Sequence, residues 1–271
     1  MGLVGCARAW RAGTLACVLA WFGSAADLRA ETPGSLRSSG TVEKSAEPFG
    51  LFTSVLTYGG LRDKWLGVQR RLDDEMVQIA LCEGDPENCV SPAALQFLAI
   101  VDAAKRREGR ARLGEINRAI NLAIRPMADL AQYGQIDVWT SPLATLTRGA
   151  GDCEDYAIAK FAALRRAGIA ADDLRIVVVH DTIHGEDHAV AAVRLDGHWL
   201  TLDNRRMAMV EDLDVRNYRP TFVIDQQAVM RYIETPPLTE ASGRGPAAPV
   251  MVSSLAPPSP VSSANPAPQA D

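Results

Sequence analysis

The chain has 271 residues, 47% of them hydrophobic, and a formal net charge of −5 at pH 7. This length and apolar content allow one well-buried domain of ordinary size, with room for a helical extension. The charge is mildly acidic and no stretch is strongly basic, so electrostatics gives little reason to expect a nucleic-acid partner.

The first residues have the pattern of a signal peptide. Arg8 and Arg11 form a positively charged region, an apolar run follows from Ala12 to Phe22, and residues 24–26 offer a small-residue cleavage site. The apolar run is too short to span a bilayer comfortably, which favours cleavage over a membrane anchor. We therefore predict a signal peptide over residues 1–26, an exported mature protein and no later membrane span.

Two segments of low complexity flank the expected domain. Residues 27–48 are polar, with Pro, Gly and Ser, and are predicted to form a flexible leader. Residues 236–271 are rich in Pro, Ala and Ser and lack the apolar content that offsets the entropy of ordering, so a disordered tail is predicted. The folded domain is expected at residues 49–235.

The order of the predicted elements indicates the fold class. Apolar residues at a 3.6-residue period predict three helices: 61–81, 91–107 and 113–124. A connector over residues 133–151 precedes a fourth helix over residues 153–167, which ends before Gly168. Runs rich in β-branched residues then predict four strands: 174–180, 187–195, 198–203 and 218–224. Helices followed by an antiparallel meander indicate an α+β fold, with the N-terminal helices packed on the sheet.

Three cysteines remain after removal of the signal peptide. Cys82 and Cys89 bound a short polar loop that a disulfide could close in an oxidising compartment. Metal binding by that pair is less favoured, because no His or further Cys lies nearby in the sequence. Cys153 is then unpaired, and an unpaired thiol in an exported protein is either a buried inert side chain or a reactive one.

Cys153 lies where a thiol can be activated. Gly149 and Gly151 precede it, and it occupies the first turn of the fourth helix. Free backbone N–H groups and the helix dipole at such a position stabilise a thiolate, and the same N–H groups could hold an oxyanion. Ala157 and Phe161 follow at intervals of four, so we expect the sulfur and this stripe to face the sheet.

A predicted hairpin brings a base and an acid together. Residues 196–197 (Asp-Gly) are a strong two-residue turn signal, and the resulting register makes His188 and Asp203 diagonal neighbours on one face. We expect the helix that begins at Cys153 to cover this face, which gives the general layout of an activated nucleophile. The alternative for each residue alone is a structural role, and His184 is the one serious rival as base.

Carboxylates surround the thiol in sequence. Asp152, Glu154 and Asp155 suit a helix N-terminus, which is their ordinary role. Three negative charges would nevertheless oppose formation of a thiolate. A hard divalent cation held by these oxygens would relieve the repulsion and fix the turn that bears Cys153.

Several motifs together resemble one known family. They are Asp-Cys-Glu-Asp-Tyr at 152–156, His-Ala-Val at 188–190, Leu-Asp-Asn at 202–204, Ile-Asn-Arg-Ala-Ile-Asn at 116–121 and Asp-Val-Trp-Thr-Ser-Pro-Leu at 137–143. The combination resembles the bacterial transglutaminase-like cysteine proteinases, which include the LapG-type periplasmic proteases. The likeness covers about residues 61–233, which is nearly the whole expected domain.

The resemblance implies a papain-like or transglutaminase-like core and a catalytic triad. The triad falls on Cys153, His188 and Asp203. It further implies a periplasmic endopeptidase that acts on a protein substrate, since family members release large repeat adhesins from the cell surface. The long Pro/Ala/Ser tail departs from the LapG pattern, so a branch with another substrate stays open.

The resemblance also implies a cofactor and a partner. Calcium dependence is expected, with Asp152, Glu154 and Asp155 as acidic ligands beside the nucleophile. In LapG-type enzymes a connector tryptophan engages an inner-membrane receptor for cyclic-di-GMP. Trp139 occupies that motif position, and simple packing is its alternative role.

Three other functions fit the same residues. A transglutaminase or an amidase could use the triad on protein or peptidoglycan amides. A non-catalytic binding protein could keep the scaffold without activity, although the complete triad argues against it. A metal-binding structural protein would retain calcium affinity without thiol reactivity.

Overall fold

A computed structural model describes residues 44–234 of the chain. The predicted signal peptide (1–26), most of the predicted leader and the predicted tail (236–271) lie outside the described residues. Among the helices between residues 44 and 234, none combines the length and the apolar character needed to cross a bilayer.

Six α-helices lie in the described part of the chain: α1 (Gly60–Gly84), α2 (Pro92–Lys105), α3 (Gly109–Ala123), α4 (Asp129–Tyr133), α5 (Pro142–Arg148) and α6 (Cys153–Arg166). The helix starts follow local chemistry. Ser91 accepts a hydrogen bond from the N–H of Ala94 and Pro92 occupies the first turn of α2, which is the predicted cap. α6 ends just before Gly168, whose positive φ of 92° is typical of the glycine that follows a helix, as predicted.

The connector contains a helix that its sequence pattern does not reveal. α5 spans seven residues, too few for a hydrophobic period to show. Its N-terminus is capped from a distance, because the carboxylate of Glu75 in α1 accepts hydrogen bonds from the backbone N–H groups of Leu143 (3.0 Å) and Ala144 (3.3 Å). The connector predicted as irregular is therefore ordered by a residue more than sixty positions upstream.

Nine strands complete the described architecture: β1 (Phe52–Val55), β2 (Arg125–Pro126), β3 (Ala150–Gly151), β4 (Leu174–Asp181), β5 (Glu186–Leu195), β6 (His198–Leu202), β7 (Val210–Glu211), β8 (Tyr218–Ile224) and β9 (Val229–Ile233). Seven form one antiparallel sheet in the order β1-β9-β8-β4-β5-β6-β7. β2 and β3 form a separate parallel pair. Helices packed on an antiparallel sheet confirm the predicted α+β class.

The sheet buries both of its faces. α6 packs on one face, where its Ala157 and Phe161 lie in the larger core cluster, and Trp65 of α1 meets Phe161 edge-on at 5.8 Å between ring centroids. A second cluster covers the other face and includes Val190 and Trp199. The sheet is therefore buried on both faces: α6 packs on one, and the second cluster lies on the other.

The hairpin between β5 and β6 has the predicted register. Asp196 and Gly197 have φ values of 52° and 84°, which are the positive angles of a two-residue type I′ turn. Leu195 pairs with His198, and this register continues to Ala191 opposite Leu202. A local turn signal therefore fixes the relative position of residues far along both strands.

A disulfide closes the loop between α1 and α2, and an ion pair joins the N-terminal segment to the sheet. A disulfide joins Cys82, near the end of α1, to Cys89 ahead of α2. Glu47 makes a two-pronged ion pair with Arg175 of β4, at 2.7 and 2.8 Å. Because Glu47 falls within the predicted flexible leader, the ordered domain begins earlier than the boundary expected at residue 49.

Candidate active site

Cys153 is the first residue of α6 and directly follows the small β2–β3 pair. The approach is tight: a Cβ added to Gly151 would lie 2.7 Å from Oδ2 and 2.8 Å from Cβ of Asp155. Only glycine fits at that position, and the close packing of Gly151 against Asp155 fixes the path of the backbone into α6. The thiol is thereby held, partly buried, at the N-terminal end of a helix, as predicted.

The helix that bears Cys153 does not cover the face that carries His188. α6 packs with odd-numbered residues of β5 such as Ala189 and Ala191, whereas Val190 belongs to the cluster on the opposite face. Side chains alternate along a strand, so His188 lies on the side of Val190. The predicted placement of the helix over the histidine is therefore wrong, and what Cys153, at the first position of the helix, shares with His188 is the lining of one cavity.

His188 and Asp203 form a buried pair. Nε2 of His188 lies 3.0 Å from Oδ1 of Asp203, and the two side chains are 0% and 2% exposed. The hydroxyl of Tyr218 donates to Oδ2 of Asp203 at 2.6 Å, and the N–H of Arg205 donates to Oδ1 at 3.0 Å. Both carboxylate oxygens are therefore occupied, and the diagonal contact predicted from the hairpin register is present.

These contacts decide the charge of Asp203. Burial by itself would raise the pKa of the carboxyl group. The hydrogen bond and charge of His188, the hydroxyl of Tyr218 and the N–H of Arg205 outweigh burial and hold the pKa of Asp203 well below its usual value. Asp203 is an anion fixed in one orientation.

The thiol lies in a different electrostatic setting. Sγ of Cys153 donates to Oε2 of Glu154 at 3.1 Å. Burial, the charge of Glu154, this hydrogen bond and the charge of Asp152 raise the pKa of Cys153 well above its usual value, and a backbone hydrogen bond from Ala189 offsets little of that shift. The prediction that neighbouring carboxylates oppose a thiolate is confirmed in direction.

Thiol and imidazole share one cavity of about 810 Å³, lined by Cys153, His188 and Ala189 among others. Nδ1 of His188 is buried and has no hydrogen-bond partner among residues 44–234. Within the same range, the hydrogen bonds include none between the sulfur and the imidazole. The nitrogen that could accept the thiol proton is thus free, while Glu154 holds that proton.

Three carboxylates form a group with the geometry of a cation site. Single oxygens of Asp129, Asp152 and Glu154 lie within 4.8 Å of one another. Oδ1 of Asp129 and Oδ1 of Asp152 are buried without a hydrogen-bond partner in the described part of the chain. Burial and the charge of Glu154 hold the pKa of Asp152 well above its usual value. Crowded hard oxygens with unpaired buried atoms fit a cation such as calcium.

Comparison with known proteins places this arrangement in a family. The model of the bacterial transglutaminase-like cysteine proteinases matches residues 74–230, which is more than half of the chain. The chain belongs to that family. It is therefore a cysteine peptidase with a transglutaminase-like core, as the sequence motifs predict, and it acts on a protein substrate.

Solved structures give distant likenesses. LapG of Legionella pneumophila is 20% identical over 58% of this chain and 86% of its own, with a TM-score of 0.48. Its calcium-bound form is 22% identical over 55% and 83%, with a TM-score of 0.47. Its EGTA-treated form is 20% identical over 58% and 84%, with a TM-score of 0.48. No curated protein matches the chain.

Asp155 of this cysteine peptidase is not part of the acidic group. Its Oδ1 accepts hydrogen bonds from the N–H and the hydroxyl of Thr140, at 2.9 and 2.6 Å, and the residue is fully buried. Burial raises the pKa of Asp155 to about 6, against the hydrogen bonds from Thr140. Asp155 anchors the connector, and the group of clustered oxygens takes Asp129 of α4 as its third member. The ligand role expected for Asp155 stays a prediction.

Trp139 is buried in the described structure. Its side chain is part of the core cluster, its exposed fraction is 8%, and its Nε1–H donates to Oδ1 of Asp137 at 2.9 Å. This agrees with the packing role, and the role of Trp139 in partner binding stays a prediction.

The remaining histidines lie outside the cavity lining. His184, the rival base, bonds to Asp181 at 2.6 Å, and its side chain is 54% exposed. His180 and His198 pair with other surface carboxylates. Among the four histidines of the peptidase, His188 is the one whose free nitrogen is buried beside the thiol.

Other contacts at the site escape sequence reasoning. Tyr218 begins a strand fifteen residues beyond Asp203, and nothing in its neighbourhood marks it as a partner of that carboxylate. Asn117 and Asn121 stand one turn apart in a motif that the resemblance singles out. Their side-chain amides donate to carbonyls of residues 203–207, which fixes the loop that follows Asp203.

Proposed function

We propose that this peptidase is an exported, calcium-dependent endopeptidase in which Cys153 is the nucleophile, His188 the general base and Asp203 the residue that orients the base. The buried His188–Asp203 pair, in which Nδ1 of His188 has no partner among residues 44–234 and the histidine lines the same cavity as a helix-start thiol, is the observation that supports this best.

The hydrogen bond to Asp203 selects the tautomer of the base. An ionised carboxylate only accepts hydrogen bonds, so Nε2 of His188 carries the ring proton and Nδ1 keeps its lone pair. Nδ1 is then the atom that takes the thiol proton. Asp203 stabilises the imidazolium that forms, without becoming protonated itself.

The reaction proceeds in two halves. Sγ of Cys153 bonds to the carbonyl carbon of the scissile peptide as its proton moves to His188, and the oxyanion is held by the N–H groups at the start of α6. His188 returns the proton to the amine as the C–N bond breaks, which leaves a thioester. Water, deprotonated by His188, then hydrolyses the thioester and regenerates the thiol.

Asp129, Asp152 and Glu154 are the residues proposed to hold calcium. The fit rests on their clustered oxygens and on the two buried oxygens without partners. A bound divalent cation supplies positive charge that offsets the repulsion now opposing a thiolate at Cys153. Glu154 would then no longer be free to retain the thiol proton.

The setting of the enzyme is proposed from the sequence. The N-terminal pattern of residues 1–26 supports export, and the resemblance to LapG-type proteases supports a periplasmic location. On the same basis we propose a large repeat adhesin at the cell surface as substrate and an inner-membrane cyclic-di-GMP receptor as regulator.

Cleavage of a peptide library tests the triad whatever the natural substrate is. Purified protein is incubated with peptides from a whole proteome in calcium, and new termini are identified by mass spectrometry. We expect new termini from the wild type, none from Cys153→Ala or His188→Gln, and full activity from the surface control His198→Gln. Full activity in Cys153→Ala would end the proposal, and incorporation of an added amine into protein would identify a transglutaminase instead.

A further inference from the structure

Lys160 is a fully buried lysine in the middle of α6. Its exposed fraction is 0%, and lysine is almost never buried to that degree without a partner. Its ammonium donates to the backbone carbonyl of Leu202 at 3.2 Å and lies 5.7 Å from the ring centroid of Tyr156. Leu202 immediately precedes Asp203, so the amine binds the backbone that carries the proposed orienting carboxylate.

The negative charge of Asp203 acts on Lys160. Burial lowers the pKa of Lys160 to about 7, and the negative charge of Asp203 is the opposing influence that raises it. A methionine of similar length would fill the same space without the desolvation that a buried ammonium requires. Packing alone therefore does not account for an amine at this position.

The groups around the dyad are few. His188 faces Asp203 and the ring of Tyr218, whose centroid is 5.8 Å away. The cavity lined by His188 is also lined by Cys153, Asp152, Glu154, Glu186, Asp187 and Arg205. Nε of Arg206 approaches Oδ2 of Asp203 at 3.9 Å. Arg206 is partly exposed, whereas Lys160 is fully buried and bonds to the carbonyl of the residue before Asp203.

We propose that Lys160 is a positioning residue that fixes Asp203 behind His188 and limits, through its charge, how strongly Asp203 retains a proton on the imidazole. The inference rests on the proposed triad. One helix then carries both the nucleophile, at its start, and the group that adjusts the base, two turns later. α6 thus connects the two halves of the proposed machinery.

The direction of the effect follows from the charges. With Lys160 protonated, the anion of Asp203 interacts with that ammonium, with Arg206 and, once the imidazole is protonated, with His188, and the ammonium repels the imidazolium. Removing the ammonium takes away that repulsion and leaves Arg206 in place. The imidazole then keeps its proton to higher pH, and less free base is available near neutral pH.

Titration of the His188 ring resonances by NMR tests this in Lys160→Met and Lys160→Gln at a fixed calcium concentration. The chain has four histidines, and His188→Gln assigns the signal. Both variants are expected to move the midpoint upward by about one pH unit. Gln retains a donor for the carbonyl of Leu202, so its agreement with Met assigns the effect to the charge.

Asn121→Leu is the matched control. It removes hydrogen bonds to the carbonyls of Asp203 and Arg206 but leaves every charge in place, so the midpoint should stay at its wild-type value. An unchanged midpoint in both Lys160 variants, or an equal shift in Asn121→Leu, would overturn the inference. Neither result affects the triad, which depends on loss of cleavage in Cys153→Ala.

Discussion

The two halves of the active site treat negative charge in opposite ways. On the sheet, Asp203 is surrounded by donors, and both of its oxygens are occupied. At the start of α6, Asp152 and Glu154 crowd against Asp129, and buried oxygens there lack partners within residues 44–234. The difference supports the proposal that the dyad is complete as folded and that the thiol requires a bound cation to become reactive.

Asp203→Asn disrupts the His188–Asp203 pair and should have the largest effect on kcat. An amide can donate to Nε2 of His188, which moves the ring proton to Nδ1 and removes the acceptor for the thiol proton. We expect kcat to fall by about 10⁴-fold with the fold intact. Asp212→Asn, at a second buried aspartate away from the cavity, should keep kcat, and equal losses in the two variants would contradict the assignment.

Asp129→Asn tests the incomplete half. The variant keeps an oxygen for the N–H of Val138 but removes one negative charge from the acidic group. Calcium affinity, measured by titration calorimetry with calcium alone, is expected to fall by at least about tenfold. Asp155→Asn, which likewise keeps an oxygen for the N–H and the hydroxyl of Thr140, should leave calcium affinity near the wild-type value. The reverse pattern would return Asp155 to the ligand set.

Tyr218→Phe sharpens the comparison with a smaller change, the loss of one donor to Asp203. The folded-state pKa of Asp203 lies below its unfolded value, so this carboxylate contributes stability that is fully present above about pH 4 and is lost as the pH falls through the folded value. The variant should be about 1 kcal/mol less stable near neutral pH, with a few-fold lower rate. Urea unfolding should show that difference shrink in acid, and a constant difference would argue against a role through Asp203.

Sequence reasoning succeeds where the signal is local. The Asp196–Gly197 turn fixes the hairpin register, and the register alone places His188 beside Asp203. The start of α6 at Cys153 follows from the two glycines before it. These features are decided by chemistry within a few residues of each other or by strict strand alternation.

The failures share one cause, which is dependence on tertiary packing. The sequence does not reveal that Asp129 lies with Asp152 and Glu154 while Asp155 bonds to Thr140, because the direction of a helical side chain depends on what packs beside the helix. The face of the sheet that α6 covers follows from the whole core and not from the hairpin. Tyr218 reaches Asp203 through the order of strands in the sheet, which no short motif encodes.

The two-residue pairing of β2 with β3 determines when the proposed cation site can form. That pairing holds Arg125 opposite Ala150 and so brings the stretch that leads into Asp129 alongside the stretch that leads into Asp152. In an unfolded chain these acids are separated by more than twenty residues of free backbone and cannot grip one ion together. A chain exported before folding would thus cross the membrane without an assembled cation site and without an activated thiol. Both would form only when the domain folds after export.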